Sequence, residues 1–238
     1  MTSSTISGNH ADANGGGLYL TNFYGVFVGN STVSGNEAVV GGAMVVGIFT
    51  QATIVSSTVT ANRLAGPHLP QPVGGVVVAG GTMPTCVMTA GSEVTPAACS
   101  NDGIITVTGS IVAGNQDADF GGWMGASVTI EADHSLLGQF DAAAVSVVDA
   151  GGSHHSVTAA QLALDPLADN GGPTLTHALL PGSIAIDAGP SPVPSFTGSE
   201  WDQRGEGYAR VVNGLADVGA FEVQPPKPEP EPEPTFTG

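Results

Sequence analysis

The sequence predicts an all-β fold: a parallel β-helix of roughly five coils, each about 26 residues long and holding three short strands. Three observations lead there. The first is a hexapeptide, Ser4-Thr5-Ile6-Ser7-Gly8-Asn9, Ser31-Thr32-Val33-Ser34-Gly35-Asn36 and Ser57-Thr58-Val59-Thr60-Ala61-Asn62, whose copies start 27 and 26 residues apart. A looser copy, Ser110-Ile111-Val112-Ala113-Gly114-Asn115, follows 53 residues later, about two periods. Regular self-similarity of this kind marks a solenoid, where each repeat buries its apolar side only against its neighbours. The second observation is a glycine-led strand in each period, Gly15-Gly16-Gly17-Leu18-Tyr19-Leu20, then Gly41-Gly42-Ala43-Met44-Val45-Val46, then Gly74-Gly75-Val76-Val77-Val78. The third is a further short apolar run between these two strands, Gly25-Val26-Phe27-Val28 or Gly47-Ile48-Phe49.

Within the hexapeptide a β-branched residue stands between small polar ones and runs into a turn. Ile6, Val33, Val59 and Val112 share one position and are expected inward. Thr5, Ser7, Thr32, Ser34, Thr58 and Thr60 then point outward. Asn9, Asn36, Asn62 and Asn115 close the strand, either stacked as an amide ladder or as the left-handed turn residue. Their recurrence in every copy suits a scaffold, since an active site needs its residue once. The coils occupy residues 1–160, with an inserted loop at about 79–103. The pattern resumes at Ile104, and Val128-Thr129-Ile130 and Ser135-Leu136-Leu137 continue it. Residues 142–163 read as a short helix or an edge strand.

Composition narrows the partners. Of 238 residues 35 are glycine and 41% are hydrophobic, mostly Ala and Val, so the core is narrow and built from small side chains. A net charge of −17, with only four Lys and Arg against 21 acids, disfavours nucleic acid and anionic lipid. There is no run of about 18 apolar residues to span a membrane. No basic-then-apolar leader precedes the first hexapeptide, which suggests that the chain is cut from a longer exported one. Cys86 and Cys99 lie 13 apart in the inserted loop; in an exported protein the pair reads as a disulfide, otherwise as two thiols.

Beyond the coils, Leu164-Asp165-Pro166-Leu167-Ala168-Asp169-Asn170-Gly171-Gly172-Pro173-Thr174 opens a distinctive stretch. It continues through His177-Ala178-Leu179-Leu180-Pro181-Gly182-Ser183, Ala185-Ile186-Asp187-Ala188-Gly189, Asp202-Gln203-Arg204-Gly205 and Asp217-Val218-Gly219-Ala220-Phe221-Glu222. These blocks resemble the choice-of-anchor Q domain of bacterial surface and secreted proteins. Ile184 stands where that family usually carries proline. The coils more loosely resemble polymorphic outer-membrane proteins and pectate-lyase-like enzymes. The resemblance implies a right-handed parallel β-helix, ended by a cap at 161–223, and export or surface attachment of the parent protein. Residues 224–238, proline alternating mainly with glutamate, are expected to form an extended spacer. In the cap, Ala178-Leu179-Leu180 is expected to cover the apolar end of the stack. Arg204, among Asp187, Asp202 and Asp217, is expected to act as a guanidinium clamp, with a substrate-binding arginine as the sharper alternative. His177 is expected to make structural hydrogen bonds.

Candidate chemistry is sparse. Asp117 and Asp119 have the i, i+2 spacing that puts two carboxylates on one face of a strand. With Glu131 or Asp133 they form a weak candidate Ca²⁺ site, against a plain solvated loop. His154-His155 could weakly hold a transition metal, against a turn, and Arg63 could reach outward. No GxSxG, HExxH, P-loop or dinucleotide fingerprint occurs. The expected role is a non-enzymatic, monomeric stalk or adhesin-like module that contacts glycans or other cell-surface molecules. The alternative is a polysaccharide lyase or glycoside hydrolase acting upstream or around Asp117 and Asp119. An ice-binding reading of the Ser/Thr rows is set aside because the rows are too short and mixed.

Overall fold

The structure is a computed structural model that describes residues 1–21, 25–47, 51–66, 73–79, 103–123 and 125–226. It is all-β with almost no helix, and every strand pairing is parallel. The strands are β1 (Thr5–Ser7), β2 (His10–Asn14), β3 (Leu18–Leu20), β4 (Val26–Gly29), β5 (Thr32–Ser34), β6 (Glu37–Val40), β7 (Met44–Gly47), β8 (Ala52–Val55) and β9 (Thr58–Thr60). They continue as β10 (Arg63–Leu64), β11 (Val76–Ala79), β12 (Gly103–Thr108), β13 (Ile111–Val112), β14 (Phe120–Trp123), β15 (Val128–Asp133), β16 (Leu136–Leu137) and β17 (Val145–Asp149). A single turn of helix, α1 (Ala159–Leu162), follows. Residues 142–163, read as helix or edge strand, therefore hold both.

Four sheets result, ordered β1-β5-β9-β13-β16, β10-β6-β2, β14-β11-β7-β3 and β17-β15-β12-β8-β4. Each draws one strand from successive sequence periods, so the architecture is compatible with a solenoid. We call each period a rung. In the hexapeptide sheet Ile6 pairs with Val33, Val33 with Val59, Val59 with Val112, and Val112 with Leu137. The expected registry of like residues is observed, and Val33, Val59, Val112 and Leu137 are fully buried in one apolar cluster.

Two details differ from the sequence reading. The first three rungs have four strands rather than three, because the residues after the ladder asparagines form a small sheet of their own, β2-β6-β10. The first of them, His10-Ala11-Asp12-Ala13-Asn14, alternates, but with alanine alone at its apolar positions and no β-branched or aromatic residue to mark a strand. In rung 2 the strand counterpart to Val26–Gly29 is Ala52–Val55, not Gly47-Ile48-Phe49. Gly47 ends β7, and Ile48 and Phe49 lie outside the described residues.

Corners are set by backbone conformation. Gly8, Gly35, Ala61 and Gly114, each just before a ladder asparagine, have φ of 67°, 66°, 58° and 77°. The left-handed residue is thus the one before the asparagine, which leaves the amide free for the ladder. A second left-handed residue precedes each hexapeptide serine, at Ser3, Asn30, Ser56 and Gly109. Two such corners per hexapeptide return the backbone to the same sheet edge each time.

The C-terminal segment departs most from expectation. Its contacts do not run over the end of the stack; they run along the outer face of the hexapeptide sheet. Leu179, Ala185 and Val218 pack with Leu162, Ile111 and Leu136, and the last two are the outward residues of β13 and β16. Further along, the segment bonds to Thr58, Thr32 and Thr5 on rungs 3, 2 and 1. Thr32, Ser34 and Thr58 therefore point away from the core and are nonetheless buried. Beneath a covering segment, their hydroxyls serve as hydrogen-bond partners for it. Among the described residues no helix is long and apolar enough to cross a membrane.

Candidate functional site

The asparagines form a one-way ladder. Nδ2 of Asn9 donates to Oδ1 of Asn36 at 2.9 Å, Asn36 to Asn62 at 3.0 Å, and Asn62 to Asn115 at 2.7 Å. Each Oδ1 also accepts the backbone N–H of the preceding rung's asparagine, at 3.0–3.1 Å. A second ladder, given no role by the sequence reading, runs beside it. The backbone N–H of Ser4, Ser31, Ser57 and Ser110 donates to Oγ of Ser31, Ser57, Ser110 and Ser135. Ser135 N–H in turn donates to Ser153 Oγ. Most of these groups are buried, where an unpaired amide or hydroxyl costs about 1–3 kcal/mol. The serine that opens every hexapeptide was the available signal for this second ladder.

Asp119 ends the amide ladder. Its Oδ1 accepts both the backbone N–H and Nδ2 of Asn115, at 2.9 and 2.7 Å, and its Oδ2 accepts the N–H of Gln139 at 2.8 Å. All three neighbours are donors, so a carboxylate suits the position better than another amide. Burial raises its pKa, and the hydrogen bonds from Asn115 and Gln139 work against that rise. Gly138 has no side chain because a Cβ there would collide with this carboxylate.

The sequence expectation for Asp117 and Asp119 is therefore revised. Residues 115–118 are not strand, Asp117 is exposed at φ 63°, and Asp119 is buried in the ladder. Glu131 and Asp133 lie on another sheet, bonded to Thr106 and His134. Among the described residues no group of three or more His, Cys, Asp and Glu could hold a metal ion. Nor do the two adjacent histidines act together: the backbone of His154 bridges to Leu136, while the ring of His155 meets Phe140 edge-on. Cys86 and Cys99 lie outside the described residues.

Of the three aspartates expected around Arg204, its guanidinium bonds to Asp202. Arg204 grips Asp202 through Nε at 3.0 Å and Nη2 at 2.6 Å, and its guanidinium lies between the rings of Tyr208 and Phe221, 4.0 and 3.8 Å from their centroids. Asp217 does not reach it. Its Oδ1 accepts the N–H of Asp187 and its Oδ2 that of Val223, both near 2.8 Å. Asp187 enters the cluster through its backbone. Arg210, Gln203 and Glu222, unassigned from sequence, complete the cluster. Buried Arg210 donates to Asn30 Oδ1 at 2.5 Å and to the carbonyls of Gly219 and Ala220. Glu222 accepts the N–H of Asp217, and its own N–H donates to Asp202.

Two arginines, two aspartates and a glutamate thus share a nearly dry volume. Burial pushes the Glu222 carboxyl up to about 8, with the charges of Asp217 and Asp202 adding to the rise and Arg210 opposing it. Asp217 shifts upward for the same leading reason. The sign of the linkage follows. The unfolded carboxyl ionises near 4.5 and the native one near 8, so between these values the native state holds more protons. Stability is full below about 4.5 and is lost as pH rises towards 8, by on the order of 1.4 kcal/mol per pH unit. His177 acts in the opposite sense below its ordinary value of 6.5, because burial lowers its pKa. We expect the melting temperature to fall between pH 7 and 8 and the Glu222→Gln variant to flatten that fall. Circular-dichroism melts across the range read it directly, and an equal slope in both proteins refutes the assignment.

His177 meets the sheet through Ser34. Its Nδ1 donates to the carbonyl of Asp165 at 2.7 Å, which leaves Nε2 to accept from Ser34 Oγ at 2.8 Å. A serine hydroxyl on an imidazole is the start of an acyl-transfer site. Here the imidazole is oriented by a backbone carbonyl rather than a carboxylate, and Ser34 is only 2% exposed beneath the covering segment. The neighbouring cleft, about 260 Å³, is lined by Thr60, Leu162, Leu164, Asp165, Pro166 and His177 and does not include Ser34. The pair is a buried hydrogen bond that ties the covering segment to the sheet. On the exposed side of the small sheet, Glu37 lies 3.9 Å from His10 and 3.8 Å from Arg63, so Arg63 does reach outward.

In comparisons with known proteins, no family model matches the chain, and no curated protein or solved structure is significantly similar to it.

Proposed function

We propose that this chain is a right-handed parallel β-helix module of a secreted or surface-attached bacterial protein, with a non-enzymatic stalk or adhesin-like role. One observation carries this reading. Among the residues suited to chemistry, Asp119 is bonded into the amide ladder, Asp202, Asp217, Glu222, Arg204 and Arg210 into the buried cluster, and His177 to buried Ser34. The resemblance of residues 164–222 to the choice-of-anchor Q domain supports export and attachment, as does the Pro-Glu stretch that follows.

The contact surface is the outer face of β4-β8-β12-β15-β17. The hexapeptide face is covered, whereas Thr53, Thr106 and Thr129 are half-buried and Ser146 and Glu131 exposed along this second five-stranded sheet. Thr53, Thr106 and Glu131 stand in one register row between Phe27 and Val148, and Thr129 and Ser146 in the next, so hydroxyls and a carboxylate offer donors and acceptors to sugar hydroxyls beside exposed apolar groups. The net charge of −17 favours neutral glycans over anionic ones. The module acts as a monomer and requires no Ca²⁺. A glycan array followed by calorimetry tests the reading. We expect binding to neutral glycans, weakened by Thr106→Glu and Thr129→Glu, with Ca²⁺ making no difference. Turnover of polygalacturonate or alginate that is abolished by Asp117→Ala would replace this function with a lyase.

A further inference from the structure

We infer that the C-terminal segment is a load-bearing clasp that holds the departing chain mainly against the first rungs, so that rungs 4 and 5 bear little of the tension. This rests on the reading of the chain as a displayed module. The grip on the departing chain comes first. Just before the Pro-Glu stretch, the carbonyl of Glu222 accepts from Arg204 Nη2, the N–H of Glu222 donates to Asp202, and the N–H of Val223 donates to Asp217. The Gln224 side chain adds a bond to the carbonyl of Ala209 at 2.9 Å. Four consecutive points on three residues are therefore held by groups that are themselves mostly buried.

The grip is then passed to the stack at its N-terminal end. Gln203, fully buried next to Arg204, donates from Nε2 to Thr5 Oγ1 on rung 1 at 2.8 Å and accepts at Oε1 from Thr32 on rung 2 at 2.6 Å. Thr5 also donates to the carbonyl of Leu175. Arg210 reaches Asn30 at the start of rung 2, and the N–H of Ala220 donates to Thr58 on rung 3. A segment that capped the last rung would pass a pull into β16 and β17 and peel the coils in turn. Side-on attachment instead loads several rungs at once, and the bonds share the force. Contacts with rungs 4 and 5 are the apolar packing of Leu179, Ala185 and Val218, which lies beyond the gripped residues, and one backbone bond at the start of rung 4, from the N–H of Gly219 to the carbonyl of Gly109 at 2.9 Å. The far rungs thereby carry only a small share of the load.

Pulling the full chain between its N-terminal and C-terminal residues in optical tweezers tests the clasp. We expect Gln203→Ala to raise the rate of the first rupture at a given force about tenfold. Thr5→Val, which keeps a β-branched strand residue, removes the same link from the other side and should act in the same direction. Asn115→Ala weakens the ladder at rung 4 and should lower the melting temperature without changing the first rupture. A first rupture that responds to Asn115→Ala, or that ignores both Gln203→Ala and Thr5→Val, overturns the inference. Glycan binding is read in a separate assay, so failure of the contact face would not be confused with failure of the clasp.

Discussion

Replacing Asp202 by Asn should destabilise the fold by about 3–5 kcal/mol, because it leaves Arg204 charged and buried without its carboxylate. Asp202 is fully buried, and its two oxygens serve Arg204 Nε and Nη2 and the backbone N–H groups of Arg204 and Glu222. An amide can accept at only one of those places and presents an NH₂ to a donor at the other. The stacking of the guanidinium between Tyr208 and Phe221 persists but cannot supply the missing charge. The double variant Asp202→Leu with Arg204→Met should recover part of the loss, since it removes the unpaired charge together with the pair. Urea titrations followed by tryptophan fluorescence measure both. A single variant within about 0.5 kcal/mol of the parent, the scale of an ordinary surface substitution, would show that the pair contributes nothing.

The second large effect is expected at Asn62. Its amide makes five hydrogen bonds: two received from Asn36, and three donated to Val33, Thr60 and Asn115. Asn62→Ala strands the buried backbone N–H of Asn36 and one N–H of its side-chain amide, at about 1–3 kcal/mol each. Asn62→Asp should be nearly as harmful at pH 7, although it preserves shape and both acceptors. Its carboxylate has no proton for Asn115 or Val33 and faces another oxygen across the ladder. Acidification that protonates the new carboxyl should then restore part of the stability, an effect Asn62→Ala cannot show. Asp119 escapes the penalty because every group around it is a donor. Thermal melts of the two variants at pH 4 and pH 7 separate a directional ladder from simple packing; an unchanged gap between them refutes the directional account.

Local pattern and tertiary outcome agree closely in the coils. The hexapeptide registry was legible because a rung is built from neighbours in sequence, and its residues meet their own counterparts one period later. The β-branched core positions and the ladder asparagines follow from that alone. Strands β2, β6 and β10 were illegible because β2 offers only alanine at its apolar positions and β10 is two residues long, and only the parallel pairing of His10 with Glu37 and Glu37 with Arg63 makes them strands. Asp119 misled for a related reason. A two-residue spacing implies a shared face only inside a strand, and the chain turns at Asp117.

The amino-acid sequence by itself determined the repeat, the parallel registry and the residues that face inward, since these depend on contacts repeated at a constant interval. Only the tertiary structure decided where the unrepeated C-terminal segment lies. Its hydrogen-bond partners on the first three rungs stand 143 to 198 positions away, the last being Thr5 and Gln203, and no periodicity encodes such a pairing. That placement buries the outward threonines, joins Arg210 to Asn30, and lifts the Glu222 carboxyl by removing its water.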